Sequence, residues 1–146
     1  MKILLGCGDE NRPGWAHHDR RRHSPHVDVA HDLELRPWPW ANEVAERIEA
    51  LDVLEHLADT VAFMDECWRI LAPGGRLVVR VPHWQHVDAW IDPTHKRAFH
   101  PDTFSYFDPS MEQGQRFGRF YTDRAWRLVF TTASEQHIQA ELEKLG

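Results

Sequence analysis

The residues that could do chemistry fall into four groups. The first is Gly6-Cys7-Gly8, which cuts short the apolar run Ile3 to Leu5. Glycines reach backbone conformations closed to other residues and leave room for a ligand against the chain. A buried strand ending in such a turn opens the binding crevice of a doubly wound α/β sheet. The second group is a pair of acids, Asp19 and Asp32, each closing a segment with strand character. As bare residues they would serve equally well as strand-end caps or solvated carboxylates. The third is Asp52, Glu55 and His56, where a carboxylate near a helix start could also be no more than a cap. The fourth is the polar series His83, His86, Asp88, Asp92, His95 and His100. Those side-chain types bind zinc and similar cations, but their spacing matches no zinc pattern, so no metal site is expected. A substrate-facing role suits them better, because they follow the carboxyl end of a strand, where ligands sit in open α/β sheets.

The elements that must position these groups can be read in order. Ile3 to Leu5 is the first strand, and Trp15 to Asp19 the second, after a polar connection in which Asp9 could cap a short helix or turn. Val27 to Leu33 alternates apolar and polar residues, as a half-buried strand does. Pro37-Trp38-Pro39-Trp40 interrupts regular structure. Periodicity alone would join Ala41 to Leu71 into one long helix, whereas an α/β sheet requires a strand near Arg47 to Leu51. Asp59 to Leu71 is a helix, capped by Asp59 or Thr60, with Phe63, Met64, Cys67, Trp68 and Leu71 on one face. Ala72-Pro73-Gly74-Gly75 stops it. Arg76 to Val81, rich in β-branched residues, is a buried strand, so helix and strand together form a right-handed crossover unit.

His83 to Asp123 is long, polar and aromatic, with a short helix expected over Pro101 to Phe107, capped near His100 or Asp102. A segment of this length between core elements is usually functional. Ala125 to Thr132 and His137 to Leu145 read as two closing strands joined by a short link, which makes the C-terminal edge an antiparallel hairpin; Gln136 to Leu145 could also be read as a helix.

Bulk properties narrow the function. The 146 residues fit one domain. A net charge of -6 supplies no basic field for general nucleic-acid binding. Two cysteines, Cys7 and Cys67, make neither a disulfide framework nor a metal pattern, and Cys7 has no activating neighbour. With no long apolar run and no signal-peptide pattern, a cytoplasmic protein away from membranes is expected.

Five motifs in order resemble the small class I S-adenosylmethionine-dependent methyltransferases of the type 11 kind. They are Ile3-Leu4-Leu5-Gly6-Cys7-Gly8, Pro13-Gly14-Trp15 through Asp19, and Asp52-Val53-Leu54-Glu55-His56-Leu57. Arg69 to Leu77 and Asp92-Pro93-Thr94-His95-Lys96-Arg97 complete the set. The resemblance covers about residues 2 to 107. It implies a class I methyltransferase fold, a doubly wound Rossmann-like sheet that is mostly parallel. It also implies S-adenosylmethionine as cofactor. Gly6, Cys7 and Gly8 would then pass under its methionine part. Asp19 would accept hydrogen bonds from the ribose hydroxyls, and Asp32 and Leu33 would lie against the adenine. Asp52, Val53, Glu55 and His56 would line the crevice beside the sulfonium and the acceptor. His83 or His95 would serve as a general base, where the acceptor must lose a proton.

Two departures from the pattern matter. Asn11 stands where a dinucleotide-binding turn has its third glycine, which disfavours a nicotinamide cofactor. Most such methyltransferases carry a helical segment ahead of the first strand, whereas this sequence opens on the strand. The cover over the acceptor is therefore expected from residues 83–124 or from another chain, a second copy or a partner. The expected activity is methyl transfer to a small molecule or side chain, the acceptor being unassigned. The alternative is a non-catalytic or partner-dependent cofactor-binding subunit.

Overall fold

A computed structural model describes residues 1–146. Seven strands form one sheet in the order β3-β2-β1-β4-β5-β7-β6. They are β1 (Lys2–Leu5), β2 (Ala16–Asp19), β3 (Val29–Ala30), β4 (Ala45–Leu51), β5 (Leu71–Pro82), β6 (Trp126–Ala133) and β7 (His137–Lys144). The first five run parallel, and β7 lies antiparallel between β5 and β6. The order reverses at β1, whose two neighbours β2 and β4 leave a crevice beyond its carboxyl end.

The choice between strand and helix before Leu51 is decided by burial on both sides. Ile48 pairs with Ile3 on β1 and Leu77 on β5, so Ala45, Ile48 and Ala50 are enclosed by the sheet itself. The helix α1 (Thr60–Ile70) packs Phe63, Met64, Cys67 and Ile70 on the same face, over Ile3, Leu5, Leu77 and Val79. Asp59 caps it, accepting a hydrogen bond from the Ala62 N–H at 2.9 Å. Trp38 stacks edge-on against Phe63 at 5.6 Å, so the irregular Pro-Trp-Pro-Trp stretch still supplies core.

The last segment is a strand and not a helix. Ile138, Ala140 and Leu142 point into the core, while Glu141 and Glu143 point to the other face. There they join a chain of ion pairs across the sheet, from Arg12 through Glu49, Arg47, Glu141, Arg76 and Glu143 to Arg127. That face carries no long helix, and its arginines alternate with glutamates. Lys144 is buried at the end of β7, where its Nζ donates to the Leu71 carbonyl at 2.8 Å and sits 3.9 Å from the Trp68 ring centre.

Three sequence expectations change in extent. The strand expected over Arg76 to Val81 runs from Leu71 to Pro82, because Leu71 already pairs with Ala45 on β4. The strand expected over Val27 to Leu33 shrinks to Val29–Ala30. Val27 is drawn into a small core with Leu4 and Cys7, and the Glu34 N–H turns back onto Asp32 Oδ1 at 3.0 Å. The expected helix over Pro101 to Phe107 is a 3-10 helix, Thr103–Phe107, that buries Phe104 and Phe107. Two further short helices, α2 (Asp88–Ile91) and α3 (Glu112–Arg116), lie in the long segment after β5. No helix is long and apolar enough to cross a membrane.

Candidate functional site

The crevice beyond β1, β2 and β4 has a volume of about 660 Å³, within the range of small-ligand sites. Its floor is the glycine turn. Gly6 and Gly8 adopt φ of +60° and +54°, values that disfavour any side chain. A Cβ on Gly6 would lie 2.5 Å from Cγ2 of Val53, whereas a Cβ on Gly8 would meet nothing within 4 Å. Gly6 is thus required by packing, and Gly8 keeps the crevice open.

Hydrogen bonds hold the turn on every side. The Gly6 N–H donates to Nδ1 of His18 at 3.2 Å, and His18 Nε2 lies 2.8 Å from the His31 carbonyl, to which it donates. Burial lowers the pKa of His18, so the ring stays neutral, as this donor and acceptor pattern requires. The Gly8 N–H donates to Oδ2 of Asp19 at 2.8 Å, and the Gly8 carbonyl faces Nε2 of His26 at 2.9 Å. Asp19 Oδ1 also accepts from the Arg20 N–H at 2.6 Å. Burial would raise the Asp19 carboxyl, but these N–H groups and His23 outweigh it and hold it below the usual range. An ionised carboxylate with lone pairs to spare therefore stands at one end of the crevice.

Asp32 and Leu33 line the same end, with Arg20 3.5 Å from the Asp32 carboxylate. Glu34 reaches across and accepts from the Ala58 N–H at 2.9 Å. At the opposite end stand Asp52, Val53 and His56. Asp52 has φ of +59°, strained for a non-glycine residue, and is held by its N–H to the Arg80 carbonyl and by the Arg80 and His137 side chains.

Four expected residues, Cys7, Glu55, His83 and His95, lie outside the crevice wholly or by their side chains. The Cys7 side chain packs with Leu4 and Val27 away from the crevice, and only its backbone belongs to the turn. Burial raises its thiol pKa, which keeps it unreactive. Glu55 lines an adjoining depression of about 350 Å³, together with Asp52, His56, Asp92, His95 and His137. His83 lines a third depression with His86 and Ser134 and shares no wall with the crevice. The cause is local: its N–H is tied to the Gln136 carbonyl at 2.9 Å, which turns the residue toward the β6–β7 link.

The adjoining depression is where Glu55 stands out. Its side chain is 1 % exposed, and neither carboxylate oxygen has a hydrogen-bond partner. Burial, with some help from Asp52, pushes its pKa up to about 8. His56 and His95 face one another with ring centres 4.7 Å apart. Sequence reading missed His18, Arg20 and Glu34 at the crevice. For His18 and Arg20 the available signal is their position flanking Asp19 at the end of a strand.

Residues 13–79 match the sequence profile of the family described as "Methyltransferase domain". A probable S-adenosylmethionine-dependent methyltransferase of Mycolicibacterium smegmatis is 36 % identical over 66 residues, 45 % of this chain and 25 % of that protein. The match to a methyltransferase domain thus covers rather less than half of the chain. Solved structures share the fold at low identity. One is a complex containing the Haloferax volcanii Trm112 methyltransferase activator, with a TM-score of 0.69 and 12 % identity over 99 % of this chain and 82 % of that one. Another is the N-methyltransferase NodS of Bradyrhizobium japonicum with S-adenosyl-L-homocysteine, with a TM-score of 0.59 and 16 % identity over 98 % and 76 %. The chain spans a quarter of the length of the curated relative it matches. The crevice fits a nucleoside cofactor of the S-adenosylmethionine kind. A glycine floor lies between two carboxylates at one end and the Asp52–His56 turn at the other.

Proposed function

We propose that this chain transfers the methyl group of S-adenosylmethionine to an acceptor held between the crevice and residues 83–124. The observation that carries this reading is the shared wall. Asp52 and His56 line both the glycine crevice and the adjoining depression, so a ligand lying along the first presents its far end to the second. In this reading the backbone of Gly6, Cys7 and Gly8 supports the methionine part. Asp19 accepts from the ribose hydroxyls, Asp32 and Leu33 border the adenine, and Asp52 and Val53 flank the sulfonium. The bound cofactor supplies an already activated methyl group, so the residues around it need mainly to align the acceptor and exclude water. His95 is the imidazole on the acceptor side. His83 has no part, since it lies in a separate depression. Calorimetric titration with S-adenosylhomocysteine, followed by transfer of labelled methyl to candidate acceptors, tests this. Absence of binding heat overturns it.

A second reading is a subunit that binds the cofactor but needs a partner for transfer. Trp84, Val87, Trp90 and Ile91 favour it: they are 40 to 67 % exposed and stand on the segment that follows β5, with Ile91 lining the acceptor-side depression. The fold's likeness to a structure containing a methyltransferase activator points the same way. Transfer by the isolated chain would exclude this reading.

A further inference from the structure

Buried carboxylates elsewhere in this chain are fully engaged. Glu66 accepts from the Trp38 N–H and pairs with Arg69, and Asp108 accepts from Ser110 and from the Leu128 N–H. Glu55 is the exception, with two unpartnered oxygens facing the depression it shares with His56 and His95. A buried carboxyl group with neither oxygen hydrogen-bonded is a costly arrangement that calls for a partner. One ligand atom from each of Glu55, His56 and His95 falls within 4.8 Å of the others.

The tautomers of the two imidazoles follow from their neighbours. The Thr94 hydroxyl donates to Asp92 Oδ1 at 2.7 Å, so its oxygen can only accept from Nδ1 of His56, 2.8 Å away. His56 therefore carries its hydrogen on Nδ1 and a lone pair on Nε2. His95 Nδ1 points at the Ala89 carbonyl at 3.4 Å, which can only accept. Its Nε2 stands 3.6 Å from Asp92 Oδ2, too far for a hydrogen bond, and keeps a lone pair as well. Each imidazole thus keeps one lone pair free, beside a buried carboxyl group with no hydrogen-bond partner. The arrangement is rigid, since the Lys96 N–H donates to the Glu55 carbonyl at 2.7 Å and clamps the turn carrying His95 onto the turn carrying His56. The other acids of the depression, Asp52, Asp88 and Asp92, add negative charge. Arg80 and His137 offset that charge only at Asp52.

We propose that Glu55, His56 and His95 form a site for a divalent first-row transition-metal ion of the zinc class. Two imidazoles and one carboxylate select such ions over magnesium or calcium, which prefer all-oxygen shells. Three protein ligands leave a coordination position open, as in catalytic metal sites. Thr94 and Asp92 act behind His56, fixing its ring orientation and tautomer. The second group of possible ligands, Cys7, Asp19 and His23, is not equivalent. There both Asp19 oxygens accept backbone N–H groups, and the Cys7 thiol donates to the Gly8 carbonyl. The metal site stands without the methyl-transfer reading. Its consequence rests on that reading: the open position would take an acceptor oxygen or nitrogen beside the sulfonium and lower its pKa. His95 then acts as a ligand and not as the proton acceptor expected from sequence.

The test uses the chelator-treated chain with no cofactor present, titrated with Co²⁺ by visible absorption and with Zn²⁺ by calorimetry. One ion per chain is expected, with Mg²⁺ failing to compete. Glu55→Gln and His95→Ala should each weaken binding by more than the roughly 10- to 100-fold that losing an outer partner costs. Thr94→Val should fall within that range. His23→Ala should bind as the parent does. Melting of Glu55→Gln in chelator at or above the parent temperature shows that its fold is intact. Absence of Co²⁺ binding at millimolar concentration overturns the proposal. So does binding that survives both Glu55→Gln and His95→Ala, or binding lost in His23→Ala.

Discussion

Replacing each glycine of the turn by alanine separates two physical effects that the sequence motif runs together. At both positions the backbone is left-handed, which costs an L-residue roughly 1–2 kcal/mol relative to glycine. Alanine recovers about 0.4–1 kcal/mol through a less flexible unfolded chain. For Gly8→Ala nothing else enters, because the new methyl meets no atom within 4 Å. Its net cost should be on the order of 0–1.5 kcal/mol from those two terms. For Gly6→Ala the methyl would lie 2.5 Å from Val53 Cγ2, which adds an overpacking cost of about 1–3 kcal/mol. Urea denaturation measures both. The binding order should be different from the stability order: Gly8→Ala places its methyl in the crevice and should weaken S-adenosylhomocysteine by about tenfold or more, roughly 1.4 kcal/mol. The pair Gly6→Ala and Val53→Ala should show favourable coupling in a double-mutant cycle, since the second change removes the clashing methyl. Gly6→Ala no less stable than Gly8→Ala, or an absence of coupling to Val53, would refute the packing argument.

Other consequences are simpler. His95→Ala should cut methyl transfer while leaving S-adenosylhomocysteine affinity nearly intact by calorimetry; unchanged turnover removes His95 from the site. Asp59→Ala should cost about 1 kcal/mol in urea melts through loss of the α1 cap. Arg76→Met should destabilise modestly at low salt and progressively less as salt rises, because it breaks the centre of the ion-pair chain on a solvated face. Acid should destabilise the fold in two stages. His18 has a folded pKa below its ordinary 6.5, so the unfolded chain protonates first and its contribution falls as pH drops below that value. Glu55, raised to about 8, takes up its proton on folding and opposes this loss down to its ordinary 4.5; the first stage is therefore seen in Glu55→Gln. Asp19, Glu49 and Glu66 are held below their ordinary 3.8 to 4.5, so their contribution is present above that range and lost as pH falls through their folded values. Melting temperatures between pH 7 and pH 3 check both stages.

Much of the fold could be read from local signals. The strand and glycine turn, the capped helix and the β-branched strand each declare themselves within about ten residues. Strand β4 could not be settled that way, because Val44, Ile48 and Leu51 fit a helical period and only their pairing with β1 and β5 decides the matter. The β7 segment was open for a similar reason. Its glutamates belong on a strand because arginines on β4, β5 and β6 wait across the sheet. At the site, Gly6, Gly8, Asp19 and Asp32 were legible because strand ends point to the crevice. The meeting of Glu55 and His56 with His95 was not, since the contact is made by one turn folding onto another far away in sequence. His83 misled for the opposite reason: it follows the right strand, but its backbone is tied to the β6–β7 link.

The central claim is that the glycine turn and the two acids form a cofactor crevice. Calorimetric titration of the chain and of Asp19→Asn with S-adenosylhomocysteine tests it most directly. The account predicts one site per chain, with affinity weakened by the substitution. No heat from the parent chain, or equal affinity in both proteins, would contradict it.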